Sequence, residues 1–174
     1  MRAHQEPGQS RQTRFAELNT EVEVAGQFIS KLSVIYRYIL DNSSKQTVPL
    51  NQEIAFIRDY YYLHQIRNEG KIKLEIDINN DENSYKIIPI SLQLLVENAI
   101  KHNMATQDKT LTINVYLEDK YVVVKNNIRK MATQVVSTKI GLKNLNERVR
   151  LVTGKELIVT EHDGNFTVIV PLMA

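Results

Sequence analysis

The sequence LLVENAIKHN, at residues 94–103, is the most informative stretch of this chain for its fold and its candidate site. Residues three or four apart lie on the same side of a helix, so Glu97, Asn98 and Lys101 would share one polar sector. The apolar sector of this helix consists of Leu92, Leu95, Val96, Ala99 and Ile100. A carboxylate and an amide are hard oxygen ligands and an ammonium is a point charge for phosphate, so this turn can bind a magnesium–phosphate complex. The same spacing also fits an exposed Glu–Lys pair on an ordinary amphipathic helix, worth only about 0.2–0.5 kcal/mol.

Two helices are predicted before this stretch, at Val22–Leu40 and at about Asn51–Asn68. The apolar stripe of the first helix consists of Phe28, Leu32, Ile35 and Ile39. The side chain of Asn51 can cap the second helix. Because residues 41–44 supply only a short turn, the two helices are predicted to form an antiparallel hairpin.

Further along the chain the apolar period changes to two, which predicts strands. Strands are expected at 71–78, 110–117, 121–127, 156–161 and 166–172, with a loop at 128–139 and a helix at 141–152. Asp163-Gly164 is a strong signal for a hairpin turn between the last two strands. This order predicts an α/β (α+β) two-layer sandwich, in which helices cover one face of a mixed, mostly antiparallel sheet and a helical hairpin precedes it.

Composition excludes several classes of protein. A length of 174 residues with 43% hydrophobic residues suits one folded domain, since domains usually have about 100–200 residues. Without cysteine there is no disulfide framework, thiolate metal site or cysteine nucleophile. The formal net charge of +2 gives no basic footprint for nucleic acid. The chain has neither the run of about 18–20 apolar residues of a membrane helix nor the apolar region of a secretory signal, so a cytoplasmic location is expected.

Two other segments are candidate parts of a phosphate or nucleotide site. At residues 137–144 a loop enters a helix through Gly141, where unpaired backbone N–H groups suit a phosphate. At residues 122–127 a strand ends in two amides, and Asn126 can form hydrogen bonds with an adenine edge. An ordinary helix start and an ordinary strand-terminating asparagine explain the same two patterns.

Taken together, these segments resemble the sensor histidine kinases, specifically the group typified by the LytS-type autolysis regulators. The run Leu95–His102 is similar to the family's N-box, and the resemblance extends over Val22–Leu172. Supporting matches are Leu32-Ser33, Tyr36-Arg37-Tyr38, Ile88-Pro89, residues 140–144 and residues 166–171. The resemblance implies an ATP-binding domain of the gyrase, chaperone, histidine kinase and mismatch-repair ATPase superfamily at 70–174. It further implies a hairpin at 22–69 that serves as a dimerisation region, and residues 1–21, which are polar around Pro7, are expected to be a flexible tail.

The resemblance implies roles for individual residues of the helix predicted at Ser91–Asn103. Asn98 would ligate the Mg²⁺ that bridges the ATP phosphates, and Glu97 beside it would act as a base or orient water. Lys101 and His102 would face the phosphates. ATP and Mg²⁺ are therefore the expected cofactors, with Glu97 and Lys101 as the catalytic residues.

The remaining nucleotide-binding residues implied by the resemblance lie in later segments. Asn126 occupies the position of the aspartate that reads the adenine amine. The lid over the phosphates would contribute Lys139, Gly141, Leu142 and Asn144.

The sequence departs from the family pattern at several positions near the nucleotide. Asn126 replaces the aspartate, Ile128 and Lys130 replace glycines, and Lys139 replaces the first glycine of the lid motif. Gly164 or Asn165 lies where related domains often have a threonine beside the adenine. An uncharged amide accepts a weaker hydrogen bond than a carboxylate, so these departures bear on nucleotide affinity.

The family's phosphoacceptor histidine, in an Asn-Pro-His-Phe-Leu-Phe-Asn run, has no counterpart among the four histidines of this chain. The resemblance therefore predicts the catalytic core of a two-component sensor kinase, which transfers the γ-phosphoryl group of ATP to a histidine outside this chain. Its expected partners are a response regulator and, in the full-length protein, a second copy; it would meet a membrane only through segments outside this chain. The alternatives are a degenerate, non-catalytic nucleotide-binding or protein-interaction module and an ATPase that uses Glu97.

Overall fold

The computed structural model describes residues 7–68, 70–78, 84–129 and 140–174. Its helices are α1 (Pro7–Asn42), α2 (Leu50–Asn68), α3 (Ser91–His102) and α4 (Ile140–Thr153). Its strands are β1 (Val48–Pro49), β2 (Ile72–Asp77), β3 (Lys86–Ile87), β4 (Leu111–Glu118), β5 (Tyr121–Asn127), β6 (Ile158–His162) and β7 (Asn165–Pro171). Residues 79–83, which follow the first predicted strand, and residues 130–139 of the predicted loop lie outside the described residues.

Five strands form one mixed sheet in the order β2-β4-β5-β7-β6. The β2–β4 pair is parallel, and the other three pairs are antiparallel. Alternate residues of the central strands, such as Ile113, Val115 and Val122, are buried against the helices. Helix α3 contacts β4 and β5, and α4 contacts β7. The predicted two-layer α/β architecture with a mixed, mostly antiparallel sheet is therefore confirmed.

Helices α1 and α2 form the predicted antiparallel hairpin. The Tyr62 hydroxyl donates a hydrogen bond of 2.6 Å to Gln27, and Lys31 pairs with Asp59. Further along, the ring of Tyr38 stacks on that of Phe56 with a centroid distance of 4.2 Å. The contacts advance along α1 as they move back along α2, which defines the antiparallel arrangement.

The start of α1 corrects one expectation. Residues 7–21, which were expected to precede the first helix, are helical, because α1 begins at Pro7 rather than near Val22. Once α1 is anchored on α2, each further residue gains a backbone hydrogen bond at the cost of ordering one residue. Proline suits the first helical position because its missing N–H would have no partner within the helix.

The start of α2 differs by one residue from the prediction. The helix begins at Leu50, so Asn51 lies inside its first turn instead of capping it. The backbone N–H of Leu50 donates to the carbonyl of Tyr85 at 2.9 Å, beside the short β1–β3 pair. The predicted β6–β7 hairpin turn is confirmed, since Asp163 and Gly164 both have a positive φ, 48° and 71°.

Candidate functional site

A cleft of about 980 Å³ opens between α3, α4 and the ends of β5, β6 and β7. Most of the residues singled out from the sequence line it, namely Glu97, Asn98, Lys101, His102, Asn126, Gly141 and Leu142. The structure therefore brings the three candidate segments together around one cavity. Its size suits a ligand of the nucleotide class, since small-molecule sites usually have volumes of about 300–1,000 Å³.

Helix α3 presents the polar residues to this cleft because its apolar sector is buried. Leu92, Leu95, Val96 and Ala99 are buried in the core, whereas Glu97 and Lys101 are exposed. Glu97 accepts a hydrogen bond of 2.6 Å from Gln93, one turn earlier. Within the described part of the chain, Glu97 and Lys101 do not form an ion pair. The two side chains therefore do not make the Glu–Lys contact of the simpler interpretation, although both are exposed on an amphipathic helix.

Tyr60 of α2 lies close enough to Glu97 for the carboxylate charge to affect the pKa of its hydroxyl. Burial raises the pKa of the Tyr60 hydroxyl, the negative charge of Glu97 raises it further, and a hydrogen bond with Gln93 opposes the rise. The hairpin thus contacts α3 through Tyr60 and Gln93, one turn before Glu97.

The two amides at the end of β5 have different surroundings. Asn126 lines the cleft and is only 3% exposed. Its Nδ2 donates a hydrogen bond to the carbonyl of Asn127 at 2.9 Å. Asn127 instead extends the β4–β5 ladder, because its Oδ1 accepts from Thr112 N–H and its Nδ2 donates to the Thr110 carbonyl. Of the pair, Asn126 is the residue that can read a ligand in the cleft.

The start of α4 contributes to the cleft differently from the sequence pattern. Gly141 and Leu142 line it, but Asn144 is exposed and outside the lining. A Cβ at Gly141 would meet Leu94 at 3.6 Å, an ordinary contact, so packing against α3 does not require a glycine there. Lys139, the remaining predicted lid residue, lies outside the described residues.

Several lining residues were not predicted as site residues. The rest of the cleft is lined by Leu94, Ala99, Asn103, Ile128, Lys143, Asn146, Leu157, Val159, Glu161 and Phe166. Asn146 Oδ1 accepts the N–H of Leu157 at 2.7 Å and so connects α4 to the segment before β6. Leu157, Val159 and Phe166 lie in or beside the last hairpin, where strand alternation could have indicated an inward-facing group, whereas Ile128 follows β5.

A magnesium site built by protein side chains alone is not what this cleft offers. In the described ranges, no three His, Asp or Glu side chains are grouped so as to hold a metal ion. Asn98 and Glu97 supply hard oxygen atoms, which suit a Mg²⁺ whose other ligands are phosphate oxygens and water. The residues present therefore fit a metal that binds together with a nucleotide.

Comparison with known proteins points to one family. The family model described as "Histidine kinase" matches residues 13–72. The chain is 30% identical over 156 residues to "Sensor protein LytS" of Bacillus cereus. This alignment covers 80% of this chain and 26% of that protein. It is 35% identical over 107 residues to "Sensor protein kinase HptS" of Staphylococcus aureus, covering 60% of this chain and 20% of that protein. The chain thus spans about a quarter of the length of these curated relatives.

A solved structure has a similar fold. The cytoplasmic segment of histidine kinase QseC matches with a TM-score of 0.51 and 20% identity, covering 86% of this chain and 93% of that one. At this identity the match concerns the fold alone. None of the helices in the described residues combines the length and apolar character needed to cross a bilayer.

Proposed function

Because this chain is related to the LytS-type sensor histidine kinases, we propose that it is the ATP-binding catalytic core of a two-component sensor kinase. It transfers the γ-phosphoryl group of ATP to a histidine in a segment outside this sequence. The observation that carries the proposal is the single cleft lined by Glu97, Asn98 and Lys101 on one wall and by Asn126 on another.

In this proposal the adenine lies at the Asn126 end of the cleft. The Oδ1 atom of Asn126 accepts a hydrogen bond from the exocyclic amine, as the acidic residue of the family would. Leu157, Val159 and Phe166 line the same cleft and supply apolar contacts for a flat purine ring. Asparagine is neutral, so we expect a weaker hydrogen bond than a carboxylate would accept.

The triphosphate lies along α3. Asn98 offers its side-chain oxygen to the Mg²⁺ that accompanies ATP, and Lys101 with His102 faces the phosphate oxygens. With Mg²⁺ bound, the negative charge of the triphosphate is partly neutralised. The bond between the γ-phosphorus and its bridging oxygen breaks, a bond from phosphorus to the imidazole nitrogen forms, and ADP leaves. Glu97 takes the proton that the imidazole releases, and the chain contributes mainly positioning and charge.

The proposed partners follow from this role. A response regulator receives the phosphoryl group from the phosphohistidine, and a second copy of the protein associates through the helical hairpin. Support for association comes from an apolar groove on α1 and α2 lined by Val24, Phe28, Ile29 and Ile66, whose side chains are exposed.

Calorimetric titration of the chain with Mg·ATP tests the nucleotide site. We expect binding that requires Mg²⁺ and is lost in Asn98→Ala. Asn114→Ala is the matched control, since Asn114 lies on β4 outside the cleft. No ATP or ADP binding by the intact chain would overturn the proposal.

A second candidate, a non-catalytic nucleotide-binding or interaction module, is favoured by the neutral Asn126 and by Ile128 where the family has glycine. The two candidates differ in chemistry. Incubation with ATP and a peptide that carries the family's phosphoacceptor run yields acid-labile phosphate on the peptide only if the chain is a kinase.

A further inference from the structure

Glu53 is a fully buried carboxylate that the proposed reaction does not use. It lies on α2, it is 0% exposed, and three donors from other parts of the fold converge on it. Its Oε2 accepts the N–H of Ile90 at 3.1 Å and the Tyr38 hydroxyl at 2.6 Å, and its Oε1 accepts the N–H of Leu92 at 3.1 Å. Glutamate is almost never fully buried unless it is paired in this way.

Two of these bonds cap helix α3. The residue before the helix, Ile90, has a left-handed backbone with φ 67° and makes no side-chain capping bond of its own. In a capping box, side chains at the start of a helix accept its unpaired N–H groups. Here Glu53, on another helix, accepts the N–H of Ile90 at the capping position and the N–H of Leu92 in the first turn. A β-branched residue rarely adopts a positive φ, so this turn needs outside contacts to hold it.

The third bond connects the cap to α1. Tyr38 is fixed by its ring, which stacks on Phe56 of α2 at 17° between planes, and its hydroxyl reaches the same oxygen that holds Ile90. One carboxylate therefore joins α1, α2 and the start of α3. Asn98 follows Leu92 by six residues, or about two turns of the same helix.

We propose that Glu53 is a positioning residue through which the helical hairpin sets the orientation of α3, and with it Asn98 and Lys101 in the cleft. The expected effect on ATP affinity rests on the proposed function, whereas the connection of α1 to α3 through Glu53 does not. A movement of α1 that withdraws the Tyr38 hydroxyl alters the cap and so changes the nucleotide site without contacting it.

The connection is tested first without nucleotide. Tyr38→Phe removes one oxygen atom and keeps the ring stacked on Phe56. Tyr62→Phe is the matched control, because it also removes a hydroxyl that bonds across α1 and α2, to Gln27, but it does not touch α3. In ¹H–¹⁵N spectra we expect Tyr38→Phe to shift the amides of Ile90, Leu92 and the α3 residues as far as Lys101. Shifts confined to α1 and α2, as in Tyr62→Phe, would overturn the proposal.

The functional consequence is tested by titration with Mg·ATP. Glu53→Gln and Tyr38→Phe are expected to raise the Kd at least about fivefold, the lower range of coupling between distinct sites, whereas Tyr62→Phe leaves it unchanged. Urea unfolding of the same variants separates lost stability from lost affinity. Wild-type affinity in a folded Tyr38→Phe variant would overturn the inference, even if Glu53→Gln fails to fold. If the wild-type chain binds no ATP, the proposed function fails instead, and the amide shifts decide the inference by themselves.

Discussion

The side chain of Asn103, which follows the last residue of α3, accepts a hydrogen bond of 2.6 Å from the backbone N–H of Arg129. Its Nδ2 donates to the carbonyl of Ala99, and the N–H of Met104 donates to the carbonyl of Arg129. The end of α3 and the segment that follows β5 are therefore joined at one edge of the cleft. Asn103 is thus the side chain that, beside the Met104–Arg129 backbone bond, links the helix that carries Asn98 to the segment after Asn126.

We expect Asn103→Ala to weaken both the fold and the nucleotide site. Each lost side-chain hydrogen bond lowers the free energy of unfolding by about 0.5–1.5 kcal/mol, which urea denaturation measures. Because, of the bonds named above, only the Met104–Arg129 backbone bond then remains between the two segments, we expect the affinity for Mg·ATP to fall as well if ATP binds as proposed. Asn127→Ala is the control, since Asn127 also bonds two backbone groups but joins β4 to β5. Equal changes of affinity in the two variants would contradict this role of Asn103.

The pH dependence of stability should reveal Glu53. Burial raises the pKa of its carboxyl above the ordinary value of 4.5, although bonds from Tyr38, Ile90 and Leu92 and the charge of Arg148 on α4 oppose the rise. At a pH above about 4.5 but below the raised pKa of the folded chain, Glu53 is protonated in the folded chain and ionised in the unfolded chain. The stability that Glu53 contributes is therefore fully present below about pH 4.5 and is lost as the pH rises through the higher, folded value.

Glu53→Gln removes this titration and provides the comparison. We expect the unfolding free energy of the wild type, minus that of the variant, to decrease as the pH rises from 4 towards neutrality. Burial and the nearby Glu53 charge raise the pKa of Tyr38, so its hydroxyl keeps its proton over this pH range. A difference that is constant or increases with pH would show that Glu53 titrates no higher in the folded chain than in the unfolded one.

Sequence patterns predicted the parts of this fold that have a clear period. Strand β4 was found because alternation over eight residues is difficult to produce by chance. The two-residue strands β1 and β3 are too short to show any alternation. The start of α1 was missed because a polar segment that continues an anchored helix has the composition of a tail.

The sequence predicted the cleft-lining residues of α3 better than those of α4. Glu97, Asn98 and Lys101 line the cleft because the apolar sector of α3 fixes the rotation of that helix. On α4 each residue turns the side chain by about 100°, so a resemblance alone does not separate Lys143, which lines the cleft, from Asn144, which does not. The role of Glu53 was not predicted, because its partners are backbone groups distant in sequence.

The β6–β7 turn offers a test of backbone conformation beside the cleft. Gly164 has φ 71°, and its carbonyl accepts the N–H of Ile128 at 2.7 Å. Gly164→Ala is expected to lower the free energy of unfolding by about 1–2 kcal/mol, the usual cost of a left-handed conformation for a residue with a Cβ. Gly26→Ala is the matched control, because Gly26 lies in α1 with no atom within 4 Å of an added Cβ. It should raise the free energy of unfolding by about 0.5–1 kcal/mol, so effects of the same sign in urea denaturation would contradict the prediction.

Two neighbouring residues of α4 distinguish the geometry of the cleft from the family pattern. Lys143 lines the cleft and carries a positive charge, whereas Asn144 is exposed outside it. If ATP binds as proposed, Lys143→Gln removes an exposed cation near the phosphates and should weaken Mg·ATP about two- to fivefold, as for a surface ion pair. Asn144→Ala should leave the affinity unchanged. Adenosine, which has no phosphate, should bind both variants and the wild type equally, and calorimetric titration at low ionic strength gives the clearest contrast. A loss of ATP affinity in Asn144→Ala but not in Lys143→Gln would mean that α4 is rotated in the bound state, with its other face towards the nucleotide.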